Sequence, residues 1–162
     1  MAIQVGDKIP SASLRKLTPE GPKEVSTDEI FKGKKVALFA VPGAFTPTCS
    51  NKHLPGFVEK AGDIKGKGVD TIACVAVNDA FVMGAWAREQ KTDGKVRMLA
   101  DGSGEFARAT GLTLDLTARG MGVRSNRYSM LVKDGKVASL NVEAPGKFEV
   151  SDAQTLLAQV TR

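Results

Sequence analysis

Two short segments, KKVALFAV at 34–41 and TIACVAV at 71–77, run apolar without the polar alternation of a half-exposed strand. Such runs are expected of strands buried on both faces, near the centre of a sheet. Between them, TPTCSNKHLPGFVEKAGDIKGKG carries Leu54, Phe57, Val58 and Ala61 at helical spacing. Pro55 is expected to kink or divide that helix, because it has no N–H and crowds the preceding turn. The unit reads strand, helix, strand. Beyond Val77, Asn78 or Asp79 is placed to cap a helix carrying Phe81, Val82, Ala85 and Trp86, with a strand to follow at KVRMLA, 95–100. A further helix is predicted over Glu105 to Thr110, closing at Gly111. In RYSMLVKDGKVASLNV, 127–142, an Asp-Gly pair separates two β-rich runs and predicts an antiparallel hairpin. The last helix is predicted to start near Ser151 or Asp152 and to bury Leu156, Leu157 and Val160.

Parallel crossovers followed by a hairpin predict an α/β fold: a mixed central β-sheet with helices on both faces, in a thioredoxin-like order. A chain of 162 residues suits one domain, and neither a repeat nor a linker divides 1–162. With 42% hydrophobic and 25% charged residues, the composition is that of a chain able to bury a core. Lys and Arg outnumber Asp and Glu by 23 to 18, but the basic residues are dispersed, so nucleic acid is not an expected partner. The segment MAIQVGDKIP lacks a basic leader with an apolar core, and no apolar run approaches the ~20 residues of a bilayer span. No membrane partner and a cytoplasmic location are the resulting expectations. One histidine and two cysteines cannot complete a four-ligand zinc site, so no metal is expected, and Cys49 and Cys74 do not form CxxC. In a reducing compartment both are expected as thiols.

Candidate chemistry centres on VPGAFTPTCS, 41–50. Open α/β sheets place functional groups in the loops beyond the carboxyl ends of their strands, and Cys49 falls there. Thr46 suits an N-cap and Pro47 the first helical position, which puts Cys49 third in the opening turn. Unpaired amides and the macrodipole make that end electropositive. A thiol that titrates near ~8.5 when free can be moved to about 3.5 to 7.5 in such a setting, which makes Cys49 a candidate nucleophile. The alternative is a small buried hydrophobe. Pro42 and Gly43 end the strand and turn the loop back over the helix start, forming a narrow site lined by Phe45 and Pro47. Either turn chemistry alone or a shaped pocket accounts for them.

Pro42, Thr46 and Cys49 fit PxxxTxxC, and PGAFTPTCSNKHLPGF resembles the type II/type V peroxiredoxins. The resemblance continues through GKGVDTIACVAVNDAFV, LADGSGEFARATGL and NRYSMLVKDGKV, nearly the whole chain. It implies a thioredoxin-like thiol peroxidase acting on hydrogen peroxide and alkyl hydroperoxides, with no metal or organic cofactor. It further implies that Cys49 is the peroxidatic cysteine, that Thr46 orients peroxide and that Pro42 shields the pocket from water. The family's arginine immediately precedes the aromatic residue opening the late strand, which selects Arg127, with Arg124 as runner-up. A guanidinium there favours thiolate and stabilises charge developing on the leaving oxygen. Cys49 becomes a sulfenic acid that a second thiol must reduce. A homodimer is also implied, with Phe45 and Phe81 as candidate contacts.

Cys74 lies in an apolar strand and reads first as a structural thiol, although it matches the second cysteine of plant-like type II members and is thus a candidate resolving residue. A disulfide needs Cα atoms within about 7 Å, which a helix start and a central strand need not satisfy without local unfolding. The C-terminal cysteine of mammalian-like members has no counterpart in KFEVSDAQ. The expected reductant is therefore glutathione with or without glutaredoxin, and thioredoxin acting through a Cys49–Cys74 bridge is the alternative. His53, four residues after Cys49, reads as packing or hydrogen bonding rather than as a base. Two other functions compete: a thiol-disulfide oxidoreductase, disfavoured without CxxC, and a non-enzymatic redox sensor or holdase.

Overall fold

The computed structural model describes residues 2–160. A seven-stranded sheet runs in the order β2-β1-β5-β4-β3-β8-β9. Its strands are β1 (Ser13–Thr18), β2 (Gly21–Ser26), β3 (Lys35–Ala40), β4 (Thr71–Ala76), β5 (Arg97–Ala100), β8 (Tyr128–Lys133) and β9 (Lys136–Val142). The apolar runs form the parallel centre β3-β4-β5, and the flanking pairs β1-β5, β1-β2, β3-β8 and β8-β9 are antiparallel. A separate ribbon pairs β6 (Thr113–Leu116) with β7 (Gly122–Ser125). Helices cover both faces, as expected of the thioredoxin-like arrangement.

Alternation along each strand divides the core into two layers. Val36, Leu38 and Ala40 of β3 join Ala73 and Val75 of β4 under α1 (Thr27–Phe31) and α5 (Glu105–Thr110), where Ile30, Phe31 and Phe106 are buried. Ala37 and Phe39, with Ile72, Cys74 and Ala76, face α2 (Leu54–Glu59), α3 (Ala61–Gly66), α4 (Ala80–Gln90) and α6 (Ala153–Gln159). Cys49 and Cys74 both belong to this second layer.

Local chemistry accounts for the boundaries. Asp79 caps α4 by accepting from Val82 N–H, Gly111 ends α5 in the left-handed region, and Asp134 and Gly135 both take positive φ in the tight β8-β9 turn. Asp152, not Ser151, caps α6, which buries Leu156 while Val160 is buried just beyond its end and Leu157 only partly.

One expectation is corrected. The buried face of α4 is Ala80, Met83 and Trp86, whereas Phe81 is 63% exposed. Packing of Ala80, Met83 and Trp86 into the layer that holds Cys74 leaves Phe81 facing outward. The segment is divided at Pro55, as its missing N–H predicts: a π-turn over Cys49–His53, in which Leu54 N–H bonds Cys49 O, gives way to α2, and Pro55 sits in the first turn of that helix. A second break falls at Lys60.

Register assembles one end of the sheet. Ala40 pairs with Tyr128, and Tyr128 with Val142. Residues just after β3, just before β8 and just after β9 are therefore neighbours: the loop to Cys49, then Arg127, then Glu143. On the other flank, Gly84 of α4 lies against Leu17 of β1, where a Cβ would stand 2.2 Å from Leu17 Cδ2 and 3.0 Å from its Cβ. Gly84→Ala is expected to destabilise the fold by about 1–3 kcal/mol through overpacking. The check is a lowered denaturation midpoint with an unchanged slope.

Candidate active site

The loop after β3 is fastened from several sides. Val41 N–H donates to Val75 O at 3.2 Å, and Ala44 N–H to Asn78 Oδ1 at 2.9 Å. Arg124 sends Nε to Met121 O (2.8 Å) and Nη1 to Val77 O (3.2 Å) and Pro42 O (3.5 Å). It braces the loop through backbone carbonyls, whereas the arginine that bonds the sulfur is Arg127. Gly43 is needed because a Cβ there would lie 3.2 Å from Thr46 Cγ2 and 3.3 Å from Arg124 Nη1. Phe45 adopts φ +65° and turns outward, half-exposed, its ring 6.4 Å from that of Trp86. Pro47 is exposed as well, so these two residues do not enclose the site.

Thr46 occupies the predicted cap position, and its carbonyl accepts from Ser50 N–H at 2.9 Å. Its hydroxyl turns back and donates to Gly43 O at 2.7 Å. With its hydrogen committed, the oxygen keeps lone pairs with which to accept from a further donor.

Cys49 is fully buried at the start of the π-turn. Arg127 Nη2 donates to its Sγ at 3.1 Å. Arg127 Nη1 lies 2.9 Å from His53 Nδ1, and His53 Nε2 lies 2.9 Å from Ser151 O. A carbonyl only accepts and a guanidinium only donates, so the proton is on Nε2 and the lone pair on Nδ1. His53 is thus a neutral acceptor for Arg127. Burial first, and the Arg127 charge second, lower its pKa to about 3, which a catalytic base at neutral pH cannot have. Its ring is boxed by Phe39 (4.9 Å), Phe57 (5.7 Å) and Phe148 (5.0 Å), and Phe39 stacks on Phe57.

The turn is held from α4 too: Trp86 Nε1 donates to Ser50 Oγ at 3.0 Å and Gln90 Nε2 to Ser50 O at 3.1 Å. Trp86 is therefore both core and brace. Cys74 is buried beneath the site in register with Phe39, and burial above all, with the Cys49 charge adding, raises its thiol well above the usual range. Both cysteines are free thiols.

The structure brings Arg127, Cys49 and His53 into direct contact, with Thr46 and Pro42 on the adjoining loop. Sequence reasoning missed Glu143, Phe148 and Ser151. Their one sequence signal is a glutamate directly after an apolar strand, with no periodicity linking it to Ser151.

The Redoxin family profile matches residues 4–157. Peroxiredoxin-2B of Arabidopsis thaliana is 49% identical over 156 residues, covering 96% of each chain. Among solved structures, reduced Prx3 of Vibrio vulnificus in complex with H2O2 superposes with TM-score 0.94 at 52% identity, covering 98% of this chain and 99% of the other. A Burkholderia cenocepacia protein with a provisional thioredoxin reductase description superposes at TM-score 0.98 and 54% identity over 100% of both chains.

The depressed His53 pKa carries a stability signature. Between pH 6.5 and about 3 the unfolded imidazole binds a proton that the native one refuses, so stability is present above the unfolded value and lost as pH falls. Denaturant titrations from pH 6.5 to pH 5 should show wild-type stability falling with acid and a shallower slope in His53→Gln. Equal slopes would contradict the assignment.

Proposed function

The chain belongs to the peroxiredoxins, thiol peroxidases of the redoxin family, and on that premise we propose that Cys49 reduces hydrogen peroxide and alkyl hydroperoxides through a sulfenic acid that glutathione, with or without glutaredoxin, returns to thiol. The observation that carries this reading is the 3.1 Å bond from Arg127 Nη2 to Cys49 Sγ.

The guanidinium favours the anionic sulfur and offers N–H groups to the peroxide. Thr46 Oγ1 accepts from the hydroperoxide O–H. The sulfur electron pair attacks the nearer oxygen, the O–O bond breaks, and the departing hydroxide or alkoxide takes a proton and leaves as water or alcohol. Cys49–SOH then condenses with glutathione, losing water to give a mixed disulfide, and a second glutathione, or glutaredoxin, releases the Cys49 thiol. Pro42, half-buried beside the site, limits water. No metal or organic cofactor enters; the electrons come from the external thiol.

Direct reduction is favoured over a Cys49–Cys74 bridge because the Cys74 thiol is buried in a central strand and held in its protonated, unreactive form. Thioredoxin acting through that bridge remains the second reading. A reductase or dithiol-exchange reading has no CxxC to act through. Self-association as a homodimer is supported by the exposed Phe45 and Phe81 rings on neighbouring loop and helix.

Steady-state peroxide consumption tests the scheme. Cys49→Ser is expected to abolish turnover and Arg127→Gln to lower kcat/KM by about 100-fold or more. Cys74→Ser is expected to keep glutathione-dependent turnover near wild type. Loss of thioredoxin-dependent turnover alone in Cys74→Ser would favour the bridged route, and a peroxide reaction no faster than that of free cysteine would favour the sensor.

A further inference from the structure

Glu143 follows β9 directly, and its own N–H donates to Arg127 O at 3.0 Å, so it stands beside Arg127 on the sheet. Its buried carboxylate collects five short contacts: Glu149 N–H on both oxygens (2.9 and 2.8 Å), and Val150 N–H (2.8 Å), Ser151 N–H (2.8 Å) and Ser151 Oγ–H (2.7 Å) on Oε2. Burial opposes ionisation, yet the Ser151 hydroxyl and the three amides outweigh it and hold the carboxyl below its usual range. A fixed anion thus gathers three successive amides and closes the loop 143–151 on itself.

That closure delivers two groups to the site. Ser151 O receives His53 Nε2–H at 2.9 Å, and the Phe148 ring lies 5.0 Å from the imidazole and 5.8 Å from the guanidinium carbon of Arg127. Ser151 O fixes the tautomer that leaves Nδ1 able to accept from Arg127, and Phe148 closes the remaining side of both groups. We propose that Glu143 is a positioning residue for the reacting sulfur, acting through the loop it clamps, then His53, then Arg127. The inference rests on Cys49 being the reacting thiol.

The same geometry explains why a carboxylate is used there and a neutral imidazole nearer the sulfur. An anion bonded directly to Arg127 would compete with the Cys49 thiolate for its charge. Glu143 instead spends its charge on backbone amides, and only the resulting geometry reaches the arginine.

The test is a double-mutant cycle on Cys49 alkylation by iodoacetamide as a function of pH, a readout independent of peroxide turnover, so that failure of the peroxidase reading and failure of this one are distinguishable. In the folded protein, Glu143→Gln is expected to slow alkylation at pH 7 on the order of 10-fold, the scale on which outer partners influence a centre they orient, and to move the profile upward. His53→Gln is expected to do the same. The double variant should alkylate within about 2-fold of His53→Gln alone, because the two residues act in series. Multiplying effects, or wild-type alkylation in folded Glu143→Gln, overturn the proposal. If Glu143→Gln does not fold, Ser151→Ala decides, since it removes one donor to Glu143 and leaves the carbonyl that meets His53: slower alkylation supports the inference, and an unchanged rate overturns it.

Discussion

A cation aimed at a buried sulfur is the constraint around which this fold is arranged. Arg127 must be partly desolvated to reach Cys49, and the N–H groups it turns inward need acceptors. A carboxylate would satisfy them but would also neutralise the charge the sulfur requires. The neutral ring of His53 satisfies the donor without that loss. Its aromatic box, far from incidental packing, is what keeps the imidazole uncharged: Phe39, Phe57 and Phe148 remove the water that would stabilise a second cation beside Arg127.

The scaffold serves this arrangement through register more than through sequence proximity. Cys49, Arg127 and Glu143 are remote in the chain, yet the pairing of β3 with β8 and of β8 with β9 puts the loop to Cys49, Arg127 and Glu143 together at one end of the sheet. The π-turn then presents Cys49 and His53 to the same guanidinium, and the regular helix follows directly at Leu54, with Pro55 in its first turn. Arg124 performs a complementary task, tying the strand ends Pro42 and Val77 together so that the loop carrying Thr46 keeps its shape.

What could be read from the sequence divides along physical lines. The central strands, the Asp134–Gly135 hairpin and the helix ending at Gly111 were legible because burial on both faces, positive φ and left-handed caps leave local marks. β1 and β2 carry charged residues on a sheet flank, and the β6-β7 ribbon alternates exposed with half-exposed positions, so neither stands out. Cys49, Thr46 and Arg127 were legible through a motif. The orientation of Phe81 was not, because two apolar stripes fit the same helix and only packing against the sheet decides between them. The clamp of Glu143 on Ser151 was invisible for a different reason: apart from the Ser151 hydroxyl, it is built from backbone amides, which every residue has.

The chain holds a single tryptophan, and its indole N–H is bonded to the hydroxyl of Ser50, immediately beside the reactive cysteine. Any opening of the first turn must break that bond and admit solvent to an otherwise sealed ring. Emission from this buried indole would therefore report on the turn that carries the sulfur, with no added dye.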